Sequence, residues 1–154
     1  MSSGTRKPSD PLFWGFVYFA LGRYGLGYMF VDMGLLGKKP KDLTGADLSA
    51  AHLEGADLRW ANMKQAILSW SDLTGAQLEG ADMKGARLEA ADLRAANLRR
   101  TNLEAADMRA ANLTGADLRW ANLTGVNLTD ADMSFAKLDN VKWPEGWKLL
   151  RDDK

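Results

Sequence analysis

The chain is 154 residues long, the size of about one domain, and its 20 Lys and Arg balance its 20 Asp and Glu. Such balance argues against a generic polyanion binder and against a wholly acidic mimic of nucleic acid. No cysteine and a single histidine, His52, exclude a disulfide framework, a thiol nucleophile, and metal sites built on Cys or on several His.

The zero net charge conceals an asymmetry. Residues 1–41 hold Arg6, Lys7, Arg23, Lys38, Lys39 and Lys41 against Asp10 and Asp32, a net of +4, which leaves −4 on residues 42–154. Residues 12–31 are apolar and aromatic, with Leu12, Phe13, Trp14, Phe16, Phe19, Tyr24, Tyr28 and Phe30 interspersed with Gly15, Gly22, Gly25 and Gly27. The stretch has the length of a helical bilayer span. Its Leu, Phe and Val residues contribute about −3 to −5 kcal/mol to insertion, and Arg23 near the middle opposes it by about +2.5 to +3.5 kcal/mol. Free spanning is therefore near break-even. The segment is longer and more aromatic than a signal peptide, and no cleavage site is expected after it. The expectation is a helical segment docked on a membrane, or on subunits of a membrane complex where Arg23 and Asp32 find partners. Lys38, Lys39 and Lys41 favour an anionic leaflet and a cytoplasmic side for the residues C-terminal to them. The alternative is a soluble, cytoplasmic chain in which this segment serves as a cap.

From Leu43 to Leu138, every fifth residue is Leu or Met, which makes twenty repeats without a register break. Two residues before each stands a small residue, usually Ala, with Ser71, Thr101 and Val126 among the exceptions and Lys41 at the start. Asp or Asn mostly lies between them. Gly often follows two positions after the Leu, as at Gly45, Gly75 and Gly115. Ala and Leu alone favour a helix by propensity, but the period does not. Five residues advance 500° on an α-helix, so successive leucines lie about 140° apart. On a continuous strand, an odd period alternates faces. The leucines share one interior only if the chain turns by a fixed angle in each repeat. A turn near 90° closes a square coil every four repeats, so twenty repeats make about five stacked coils, on the order of 24 Å tall. The predicted fold is an all-β solenoid over residues 42–141 with Leu and Ala inside.

The strings Ala46-Asp47-Leu48, Ala56-Asp57-Leu58, Ala81-Asp82-Met83, Ala91-Asp92-Leu93 and Ala121-Asn122-Leu123 resemble the A-(D/N)-L-x-x pattern of pentapeptide repeat proteins. The resemblance covers about two-thirds of the chain and implies a right-handed quadrilateral β-helix. It does not imply one function, because members include topoisomerase-protecting DNA mimics and membrane-associated proteins.

Residues 20 apart should stack on one face. One such face collects Arg59 and Trp60, Glu79 and Gly80, Arg99 and Arg100, Arg119 and Trp120, then Asp139 and Asn140. Arg100 is expected one coil from Trp120, within cation–π reach. Trp70 is placed on a neighbouring face, between Ala50 and Ala90. Exposed Trp beside Arg is the composition of a protein-binding hot spot. The candidate partner-binding residues are therefore Arg59, Trp60, Trp70, Arg99, Arg100, Arg119 and Trp120. Nucleic acid is disfavoured because Glu54, Glu79, Glu89 and Glu104 interrupt the basic residues.

The carboxylates that precede Leu or Met, from Asp42 to Asp132, read as corner hydrogen-bond acceptors rather than as metal ligands or acid–base pairs. His52 occupies one of these positions as an exposed substitution. No Ser–His–Asp arrangement or phosphate loop is built on the pattern, so no catalysis, metal or cofactor is expected. At the end of the chain, residues 142–154 form the predicted cap. Val141 keeps the register, Trp143 replaces Leu, and Pro144 and Gly146 break the pattern. Trp147, Leu149 and Leu150 are expected to cover the last coil. The resemblance also makes a homodimer through this end an alternative use of it.

Two functions are expected from these features. One is a non-catalytic accessory subunit or scaffold docked to a membrane complex through the N-terminal segment, with the coil as a protein-interaction surface. The other is a soluble interaction module, including a DNA-mimicking topoisomerase-protecting protein.

Overall fold

A computed structural model describes residues 41–147. The N-terminal expectations, from Leu12 to Phe30 and including Arg23, lie outside the described residues, as do Leu149 and Leu150.

Each repeat contains one tight turn. The N–H of the small residue donates to the carbonyl of the Leu three positions earlier, as for Ala46 to Leu43 and Ala96 to Leu93, both at 3.0 Å. The residue two after each Leu, from Gly45 to Asn140, has a positive φ between 53° and 70°. This is the third residue of a turn that needs left-handed backbone there. Glycine fills the position without strain, yet Ala, Gln, Arg, Asp, Phe and Trp also occupy it.

The turns bring every fifth residue to the same radial depth, and the coils stack in parallel. Every bridge joins a residue to the one 20 positions on, from Asp42 with Asn62 to Asn122 with Lys142. The repeat around Leu93 shows the ladder. Leu93 N–H donates to the Asn112 carbonyl at 2.7 Å and Ala95 N–H to that of Thr114 at 3.0 Å, while Asp92 N–H reaches back to Ser71 at 2.9 Å. The expected strands are reduced to single bridging residues. The reason is that a four-residue turn in every five residues leaves one residue extended between turns, although the N–H groups of three residues in each repeat bond across coils.

The axis of the stack is the core. Leu48 to Leu128 and most of the Ala positions are buried, with Leu43, Met133 and Leu138 partly so at the two ends. Each such Leu contributes on the order of 1.5–3 kcal/mol by burial. The two hydroxyls at small-residue positions are satisfied inside. Ser71 donates to the Leu68 carbonyl at 2.7 Å and Thr101 to that of Leu78 at 3.0 Å. Trp143 takes the next Leu position and packs on the core. Trp147 stacks on Trp143 with ring centroids 5.8 Å apart and planes 5° from parallel. Among the described residues, no helix is long and apolar enough to cross a membrane.

Candidate functional site

The Asp and Asn side chains point outward and close a second, smaller ring over the turn. Asp92 accepts the Arg94 N–H at 3.1 Å, Asn112 that of Thr114 at 3.0 Å, and Asp132 that of Ser134 at 2.9 Å. This is the corner role expected of them. Some also bond along the stack, as in the run Asn122 to Asn102 to Asp82, each step 3.0 Å. His52 is exposed, with its Nδ1 3.1 Å from Glu54 Oε1.

Where an Arg follows Asp-Leu, it turns back onto that Asp. Arg59 donates Nε to Asp57 Oδ1 at 2.8 Å and a terminal nitrogen to Oδ2 at 2.7 Å. Arg119 does the same to Asp117 at 2.8 and 2.6 Å. Arg94 with Asp92 and Arg109 with Asp107 repeat the arrangement. The Arg59 hydrogen bond holds the Asp57 carboxyl down to about 2, and Asp92, Asp107 and Asp117 are lowered by the same cause. These fork-to-carboxylate pairs neutralise the surface locally. Among the described residues, no group of three or more His, Asp and Glu could hold a metal ion.

The corner through Trp60, Gly80, Arg100 and Trp120 carries the densest set of candidate side chains. The Trp60 indole lies over Gly80, so close that a Cβ there would sit 2.2 Å from ring carbons. Arg100, one coil before Trp120, stands 5.9 Å from its ring centroid, as the 20-residue spacing predicts. Arg99 stands nearer still, at 5.2 Å. Trp60 and Trp120 remain 56% and 46% exposed. Arg59, Arg99, Arg100 and Arg119 therefore share this corner with the two indoles.

Trp70 does not join them. It lies ten residues from Trp60 in a 20-residue coil, so it occupies the far corner rather than a neighbouring face, and is 69% exposed. The sequence reading missed Phe135, which is 90% exposed at yet another corner. Its signal was available, since an aromatic residue stands where the turn favours Gly.

The whole coil matches a family model described as pentapeptide repeats, over residues 42–76, 71–109 and 106–142. The chain is a pentapeptide repeat protein. Membership carries the right-handed quadrilateral β-helix with it. Among solved structures, the pentapeptide repeat chain is similar to a pentapeptide repeat protein from the cyanobacterium Cyanothece 51142. The two are 36% identical with a TM-score of 0.54, over 72% of this chain and 69% of that one. It is also similar to a pentapeptide repeat protein of the Arabidopsis thaliana thylakoid lumen. There the identity is 32% and the TM-score 0.51, over 75% of this chain and 72% of that one. Comparison with curated proteins gives no match.

Proposed function

We propose that this pentapeptide repeat protein is a non-catalytic interaction module that binds a protein partner through the Trp60–Trp120 corner. The observation that supports this is a pair of exposed indoles on one corner, one of them packed against Arg99 and Arg100. Trp60, Trp70 and Trp120 have φ of 60°, 64° and 60°. A side chain in left-handed backbone costs roughly 1–2 kcal/mol, and the chain uses strain-free Gly at seven equivalent positions. Ten other non-Gly residues carry the same strain among the described turns, five of them Ala, so it is the exposure of bulky aromatics there that points to a partner. Trp60→Ala and Trp120→Ala should each weaken capture of the partner in a pull-down, since aromatic anchors typically contribute about 2 kcal/mol or more. Thr114→Ala, away from this corner, should not. Equal capture by all three variants overturns the reading.

The accessory role at a membrane rests on the sequence of residues 12–31 and on Lys38, Lys39 and Lys41. In this proposal the coil lies on the cytoplasmic side and the N-terminal segment docks against lipid or membrane-complex subunits. Deleting residues 1–37 should release a folded coil and abolish membrane association on cell fractionation. A full-length chain that is soluble and monomeric without detergent refutes docking and leaves the soluble module. For the topoisomerase-protecting form of that alternative, Asp72 and Asp132 lie in one register column with Asp92, whose charge Arg94 offsets. Protection of a type II topoisomerase from a poison in a cleavage assay would support it, and failure to protect would remove it.

A further inference from the structure

Apart from Arg87, which takes an Asp/Asn position, the repeat chemistry separates the described arginines into two kinds. Arg59, Arg94, Arg109 and Arg119 each follow Asp-Leu or Asp-Met and are tied to their own Asp. Arg99 follows Asn97-Leu98, and Arg100 follows Arg99. Asn97 has no charge to offer. Its Oδ1 accepts the Arg99 backbone N–H at 3.3 Å and its Nδ2 reaches Gln77 Oε1 at 3.3 Å. Among the described residues, neither Arg99 nor Arg100 makes an ion pair, and the Arg99 Nε is buried without a hydrogen-bond partner. The carboxylates of Glu79 and Asp139 stand in the same column and act electrostatically on Arg59 and Arg119, and neither is within ion-pair distance of Arg99.

We propose that Arg99 and Arg100, held against the Trp120 indole, recognise a carboxylate of an acidic protein segment, with Trp60 and Trp120 flanking it as apolar anchors. This deepens the reading of the corner as a protein-interaction site and rests on it. The indole removes water from one side of the guanidiniums, which strengthens any hydrogen bond made at their free edges. The planar fork matches a carboxylate with two parallel bonds. The occupant is a protein rather than nucleic acid because, at this corner, the cations without an ion pair are confined to one coil. On either side lie Glu79 and Asp139 and the neutralised Arg59 and Arg119. A row of phosphates needs a cationic track of several coils.

The test titrates the full-length chain at low salt with hexaglutamate, hexaglutamine and oligothymidylate, read by calorimetry. Hexaglutamate should bind and hexaglutamine should not. Asn97→Asp supplies the missing carboxylate to Arg99 and should weaken binding about tenfold, the loss of one charge-assisted bond, with the folded coil retained by circular dichroism. Asp117→Asn frees Arg119 and should tighten binding. Hexaglutamate affinity that is indifferent to both Asn97→Asp and Arg100→Gln overturns the proposal. So does oligothymidylate binding that exceeds hexaglutamate and depends on Arg99. The two readings separate by pattern. Partner capture that is lost in Trp120→Ala but kept in Asn97→Asp removes the carboxylate site alone. Hexaglutamate binding that responds to Asn97→Asp, with capture unmoved by either Trp change, removes the corner as the partner site.

Discussion

Adjacent alanines at positions 95 and 96 test the whole repeat, because the coil gives them opposite environments. Ala95 is exposed with φ of 54°, the third residue of its turn. Ala96 is fully buried on the axis, and its N–H closes that turn onto Leu93. Either change to Gly loosens the unfolded chain by the same amount, about 0.4–1 kcal/mol against folding. At position 95, Gly also releases the left-handed strain of about 1–2 kcal/mol, so Ala95→Gly should be stabilising by about 0.5 kcal/mol. At position 96 there is no strain to release, and a buried methyl worth about 0.8 kcal/mol is lost. A small void adds to this loss, so Ala96→Gly should be destabilising by about 1.5–2 kcal/mol. The two variants should thus separate by about 2 kcal/mol in urea unfolding followed by circular dichroism, with equal slopes. Equal losses would mean that position 95 is not in left-handed backbone, and the turn on which every repeat depends would be wrong.

Leu93→Ala empties part of the buried axis and should be destabilising by about 3 kcal/mol, whereas Arg94→Ala on the exposed next residue loses only its surface pair with Asp92 and should lower the melting temperature far less; similar melting would contradict the assigned inside and outside. Acid should weaken the coil in a defined window. The carboxyls of Asp57, Asp92, Asp107 and Asp117 are held below their ordinary value by their Arg partners, so they stabilise the fold above about pH 4. That contribution should fade as pH falls toward about 2, the value for Asp57, and high salt should reduce it; a melting temperature that is flat from about pH 5 to about 2 would remove these pairs as contributors. Gly80→Ala puts a methyl where the Trp60 ring lies and strains a turn at φ of 68°, so it should both lower stability and shift the Trp60 fluorescence. An unchanged emission spectrum would show that Trp60 does not lie over Gly80.

The register, the inward column of Leu and Ala, the corner role of Asp and Asn and the stacking of residues 20 apart were all legible in the residues themselves. The reason is that each depends on a spacing of five, which neither a helix nor a strand can turn into one buried face. The Arg100 contact with Trp120 came from the same arithmetic. What the coil alone decided is how outward side chains use the space the register allots them. Trp60 folds onto Gly80 because that neighbour has no side chain to stop it. Arg99 comes closer to Trp120 than Arg100 does because Asn97 gives it no charged partner to turn back to. Trp70 is removed to the far corner by the half-coil that separates it from Trp60, and Phe135 stands clear on a turn of its own. A repeat specifies position around the axis through backbone hydrogen bonds that all repeats share. Side-chain direction at the surface depends on the size and charge of neighbours a full coil away, and those meet only once the stack is built.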